Sequence, residues 1–184
     1  FALAQGFEDS VANAVSDHYL PRGIDSPVPK KTISYSIAIV DKIDSLVGFF
    51  LINERPTSSK DPFALRRSAI GLLRVIIENN LSIKLRYLIN YAIRLFEEQG
   101  VQIQNSNTEK ELLEFLKERM RNILKVKNIK NDIIEASISS HIGDNFLDLF
   151  KKNIIMSKYI NKEVGKDVIN SYKRASNIIE NIND

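Results

Sequence analysis

Residues 32–53 read TISYSIAIVDKIDSLVGFFLIN, and the spacing of their apolar side chains decides the fold class. Ile33, Ile37, Val40 and Val47 fall on one side of a helix, and Ile39, Ile43, Leu46 and Phe50 cover another. Apolar residues recurring at three- and four-residue intervals demand a helix, because a half-buried strand would alternate them with polar ones. A helix apolar over this much of its circumference belongs at the centre of a molecule, with neighbours on several sides. At about 100° per residue, Asp44 falls within the first stripe and Asp41 lies one turn away on its edge. A buried, unpaired carboxylate is strongly unfavourable, so both acids are expected to have partners. A structural ion pair or a hydrogen-bonded cap would supply them; so would a metal site.

The same periodicity extends outward in both directions, and no convincing alternating strand interrupts it. Candidate helices cover 7–19, 32–53, 62–79, 83–99, 108–125, 131–140, 144–158 and 162–181, an all-α architecture. Pro21, Pro27 and Pro29 mark one rigid connector, where fixed φ and missing amide donors resist helix. Pro56 and Pro62 frame a second, with Asp61 expected as N-cap and Pro62 at the first helical position. A third break runs from Gly100 to Asn107 and is the expected boundary between a domain over residues 1–100 and a segment over 101–184. The helix beyond it opens on Thr108 and Glu111 in capping-box spacing.

Composition bounds the function without naming it. The chain has 184 residues, 43% apolar and 27% charged, ordinary for a folded soluble protein. It lacks cysteine, which excludes disulfides and thiolate metal sites and suits a cytosolic protein. The start, Phe1 to Tyr19, is amphipathic rather than a signal peptide, so the chain is expected to be an interior piece of a longer one. Nowhere does it approach the roughly 20 uninterrupted apolar residues of a membrane-spanning helix. The net charge of +3 is mildly basic and evenly spread: residues 1–100 carry 12 basic and 11 acidic groups, and residues 101–184 carry 14 and 12. Any surface for an acidic partner must therefore be a local patch.

The best candidate patch is PTSSKDPFALRRSAIGLLRVI, residues 56–76. Arg66, Arg67 and Arg74 ride one helix with Lys60 just ahead of it, and the positive helix end could itself receive a phosphate. A guanidinium fork matches two phosphate oxygens. Adjacent arginines point about 100° apart, so one could instead pair inward with Asp41 or Asp44 while the other is solvated. Farther on, Leu112, Phe115, Leu116, Met120 and Ile123 form a core face that also contains Arg119, which calls for a carboxylate or carbonyl partner. Lys110, Lys117, Arg121 and Lys125 lie opposite, interleaved with glutamates as on a solvated face. The closing helix sets Lys166, Lys173 and Arg174 among Val168, Ile169, Tyr172, Ile178 and Ile179, as an amphipathic surface helix would.

The inventory for catalysis is thin. The chain has only His18 and His141, neither followed by Asp, whereas helical metallohydrolases of the HD type need several His and Asp ligands including an adjacent pair. His18 suits the C-terminal end of the first helix, where it would meet the dipole favourably, and His141 is expected in solvent. No nucleophile–base set or glycine-rich phosphate loop is present. No catalytic residue and no metal ligand is assigned.

Three stretches carry a resemblance: FALAQGFEDSVANAVSDHYLPR, SIAIVDKIDSLVGFF and PTSSKDPFALRRSAIGLLRVI. In order and spacing they resemble the β subunit of the bacterial two-subunit glycyl-tRNA synthetase, with weaker similarity through FLKERMRNIL, IIEASIS and SYKRASNII. Asp41, Lys42 and Asp44 match the family's DKxD element; Lys60, Asp61, Arg66 and Arg67 match its KDPFALRR element. The resemblance implies a partial HD-like helical domain that has lost metal-dependent hydrolysis, followed by a helical bundle segment leading towards an anticodon-binding region. It implies the α subunit and tRNA(Gly) as partners, without membrane or DNA, in the cytoplasm. Glycine, ATP and Mg would be held by the α subunit, with no cofactor in this segment. Lys60, Arg66 and Arg67 are the expected phosphate contacts, and Asp41, Asp44 and Arg119 the expected buried polar residues of the fold. A structural module bracing the α–β assembly and a metal-dependent HD phosphohydrolase are the alternatives.

Overall fold

The computed structural model describes residues 1–23, 25–141, 143–160 and 162–183, the side chains of residues 173 and 175–183 excepted. All regular structure among them is helical. A 3-10 turn at Leu3–Gln5 leads into α1 (Asp9–Asp17), followed by α2 (Thr32–Leu51), α3 (Leu65–Glu78), α4 (Leu85–Glu98), α5 (Thr108–Val126), α6 (Asn131–Ser139), α7 (Phe146–Ile160) and α8 (Glu163–Asn183). None of the described helices is long and apolar enough to cross a membrane.

Helix α2 is central, as its two apolar stripes require: it packs against α1, α3, α4 and α5. Ile39, Ile43, Leu46, Val47 and Phe50 are buried. The first stripe divides, however. Val47 is buried while Ile33, Ile37 and Val40 remain 47%, 47% and 63% exposed. Asp44 lies exposed and Asp41 half-buried, so the expectation of two buried acids fails for Asp44, which water solvates directly. The buried charge of this helix is Lys42.

Helix α5 is the second hub, touching α2, α3, α4, α6 and α7. Leu112, Leu116, Met120 and Leu124 are buried on it, with Phe115 and Ile123 packed at the edge. One buried apolar cluster runs from Val28 to Leu149, drawing on both sides of the Gly100–Asn107 segment. On α8, Lys166, Val168, Tyr172 and Arg174 are exposed and Ile169 is half-buried; Lys173, Ile178 and Ile179 lie outside the described side chains.

Four helices end in one way. Asn53, Asn80, Gly100 and Asn128 take left-handed backbone (φ 61°, 55°, 78° and 57°) just past α2, α3, α4 and α5. The next amide then reaches back five residues: Glu54 to Phe49, Leu81 to Ile76, Val101 to Phe96 and Ile129 to Leu124, at 2.9–3.3 Å. Asparagine tolerates this conformation better than other side chains do, which gives part of the chain's asparagine content a mechanism. At the start of α5, the reciprocal capping box is replaced. Thr108 Oγ1 donates to the Asn105 carbonyl at 2.8 Å, and Glu111 accepts from Asn105 Nδ2 at 2.6 Å and from Arg55 at 2.8 Å. Asn105, buried, also donates to the Phe50 carbonyl and accepts from the amide of Asn107, the residue just before α5, which has no side-chain cap of its own.

Candidate nucleic-acid interface

The loop Pro56–Ala64 carries the chain from the end of α2 to α3. Phe63 stacks on Phe49 at 4.1 Å, and the chain passes through a left-handed Ala64 (φ 54°) before α3 begins at Leu65 rather than at Pro62. Asp61 nevertheless caps the helix from farther back: its two oxygens accept from the amides of Leu65 at 2.8 Å and Arg66 at 3.1 Å. The positive end of α3 is thus already met by a carboxylate, and the expected phosphate at that point is displaced. Lys60 is exposed on the turn, where its carbonyl accepts from the Thr57 amide at 2.9 Å.

The three arginines of α3 divide their work. Arg66 donates to the Thr57 carbonyl and so ties the loop to the helix. Arg74 donates to the carbonyls of Gly23 at 2.8 Å and Ser26 at 2.9 Å, and to Glu78 at 2.8 Å, pinning the proline connector. Arg67 is exposed between them. Neither Arg66 nor Arg67 forms an ion pair with Asp41 or Asp44, because one is turned to the loop and Asp44 faces solvent.

Around Pro21 these elements enclose two adjoining clefts of about 410 and 430 Å³. Arg66, Arg67 and Arg74 with Asp61 line the first; Arg22, Lys42 and Arg67 with Asp41 line the second. Five cations therefore face two acids, a local patch in a chain whose overall charge is nearly balanced. Lys60 lies outside both walls.

Lys42, which the sequence placed in the DKxD element without a role of its own, is the buried charge of the site. Its side chain lies across α3 at Gly71, where an added Cβ would come within 3.0 Å of Cε, and its ammonium donates to the His18 carbonyl at 3.1 Å. Burial pushes its pKa down, opposed by the charge of Asp41. A signal was present: Lys42 sits four residues after Ala38 and four before Leu46, in line with the buried face. Tyr19 and Arg22, also without a role from the sequence, line the second cleft.

Arg119 is half-buried, with its guanidinium 4.8 Å from the centre of the Phe115 ring and Nε unpartnered. The expected carboxylate or carbonyl is thus replaced by an aromatic face. Burial, then the charge of Arg66, lowers its pKa, while Glu118 and Asp61 act in the opposite direction. His18 reaches the Val15 carbonyl at 2.7 Å in the last turn of α1, the end-of-helix role its position suggested. His141 is half-buried rather than solvated, and burial followed by Lys117 and Lys152 lowers its pKa. Among the described residues, no three acidic or histidine side chains converge in a way that could hold a metal ion.

The described regular structure is entirely helical, and the cationic cleft pair lies at its surface. Residues 1–139 match the family model described as glycyl-tRNA synthetase beta subunit, and the chain belongs to that family. It is 40% identical over 180 residues to the glycine–tRNA ligase beta subunit of Rickettsia canadensis, covering 97% of this chain and 26% of that protein. Similarity to the corresponding subunit of Rhodospirillum centenum is 36% over 181 residues, covering 97% and 24%. The chain thus spans about a quarter of the length of the curated relatives it matches.

Proposed function

We propose that this segment of the β subunit helps to hold tRNA(Gly) while glycine is attached at the α subunit, and performs no bond chemistry itself. The observation that carries the reading is the cleft pair around Pro21, where Arg22, Lys42, Arg66, Arg67 and Arg74 outnumber Asp41 and Asp61. Of these cations Arg67 is the one best placed to meet a phosphate, being exposed and shared by both walls. Arg66 shapes the surface by holding the loop, and Lys60 adds a longer-range charge on the turn. Glycine, ATP and Mg belong, in this reading, to the α subunit.

The test is tRNA affinity of the assembled full-length enzyme across a salt series. Arg67→Ala is expected to weaken binding and to reduce the slope of log affinity against log salt by roughly 0.7–0.9, one phosphate contact. Unchanged affinity and slope would remove Arg67 from the interface. The second reading is a structural brace for the α–β assembly, favoured by the internal satisfaction of Arg66 and Arg74. Under it, Arg67→Ala leaves tRNA binding intact, whereas Arg74→Ala loosens subunit association.

A further inference from the structure

We propose that the cleft between Tyr19 and Arg67 seats a single unpaired ribonucleotide of the bound RNA, its base stacked on Tyr19 and its phosphate between Lys42 and Arg67. The inference rests on the RNA-binding reading above and adds which kind of RNA element the site takes.

Three observations converge on it. The first is position. Lys42 is only 5% exposed and lines a shallow, open cleft of about 430 Å³. A duplex backbone tracking over the surface can touch exposed Arg67. A group that enters the cleft can also meet Lys42.

The second is the state of that ammonium. It has one protein acceptor, the His18 carbonyl, and forms no ion pair among the described residues. Its neighbour Asp41 acts on it through space only. With one acceptor from the protein, the ammonium keeps two N–H donors that an anion entering the cleft could engage. Gly71 leaves room for the lysine: a Cβ there would stand 3.0 Å from Cε and require the side chain to shift by a few tenths of an ångström.

The third is the aromatic wall. Tyr19 is 62% exposed although it is a large ring, and it is braced rather than loose. The His18 ring lies 4.0 Å away, and the Arg22 guanidinium is 6.0 Å from the ring centre. His18 is itself held by Val15, and its carbonyl is the one Lys42 grips, so ring and ammonium are fixed by one residue. An exposed, positioned aromatic beside cations is the arrangement on which unpaired bases stack, whatever their identity. Bases within a duplex are already stacked and cannot reach it. Ser68 and Asp41 also line the cleft, polar residue types that suit the hydroxyl groups of ribose and the exocyclic amine of a base.

The experiment compares variants of the full-length subunit in the assembled enzyme, with tRNA affinity read at several salt concentrations. Tyr19→Ala should weaken binding by roughly 5- to 100-fold without changing the salt slope, because stacking is not a counterion effect. Tyr19→Phe should restore affinity to within about twofold, because every aromatic ring offers a face to stack on. Lys42→Met should lower the slope by about 0.7, the value for one single-strand phosphate. If Tyr19→Ala binds like wild type while Arg67→Ala binds weakly, the nucleotide seat is wrong and the RNA-binding reading stands. If neither variant changes affinity, both fall. Adenosine 5′-monophosphate is the free-nucleotide control. Should it bind wild type and lose binding in Tyr19→Ala with tRNA affinity unaffected, the cleft serves a free nucleotide and the proposal is overturned.

Discussion

Lys42 concentrates the physical tension of the molecule in one side chain. Below its depressed pKa it carries charge in both the folded and unfolded chain, and the folded form bears a desolvation cost that Asp41 only partly offsets. As pH rises towards the ordinary lysine value of 10.5, the folded state releases its proton first. The unfolded chain then binds more protons, so stability contributed at this site increases with pH across that window. Lys42→Met is expected to stabilise the chain at neutral pH by on the order of 1 kcal/mol, or about 2–4 °C in Tm. It should also abolish this alkaline gain in a Tm-against-pH series. A drop in Tm at neutral pH would mean that the contact to the His18 carbonyl outweighs the desolvation. Arg119 makes a related compromise, setting its guanidinium on the Phe115 ring where no carboxylate is available.

Helix ends carry much of the organisation at the scale of elements. Asp61 closes two orphan amides at the start of α3, next to the turn that carries Lys60. Asp61→Ala is expected to cost about 1–2 kcal/mol, measurable by denaturant titration. Asp61→Asn, which keeps an acceptor, should lose less. At the other end of α3, Asn80 stands in left-handed backbone (φ 55°). Asn80→Val should cost about 1–2 kcal/mol from crowding of Cβ, while Asn80→Gly should be tolerated within roughly 1 kcal/mol. Equal stabilities for these two variants would show that the left-handed turn is not under constraint. The expected capping box at Thr108 failed for a reason of the same kind. Asn105, held by the Phe50 carbonyl across the molecule, was the better partner for Glu111.

For the whole molecule, the continuous cluster from Val28 to Leu149 ties α2, α3 and α5 into one cooperative body. Leu116 is fully buried on α5, and α5 packs on α2, α3 and α7. Leu116→Ala is expected to cost about 2–5 kcal/mol. Because the cluster spans the Gly100–Asn107 segment, amides of α2 and α6 should lose hydrogen-exchange protection together in that variant. Independent loss in α6 alone would instead support separate units divided at that segment. Charge also acts at this scale. Arg22, Lys42, Arg66 and Arg67, with Arg74, which pairs with Glu78, concentrate positive charge around Pro21 in a chain whose net charge is only +3. Such a local patch would steer an anionic partner where the net charge would barely do so.

Residue spacing alone determined that the chain is helical, where its helices begin and end to within a few residues, and that 32–53 would be central. These are local properties: a 3.6-residue period and the preferences of Asn, Gly and Pro are written along the chain. The family resemblance was legible too, in DKID and KDPFALRR. Tertiary packing alone decided which stripe of α2 was covered, and so left Asp44 in water and put Lys42 inside. It also decided that Arg66 and Arg74 hold loops while Arg67 stays open. The cleft unites Tyr19, Lys42 and Arg67, residues far apart in the chain, and no local preference encodes which side chains will meet across helices.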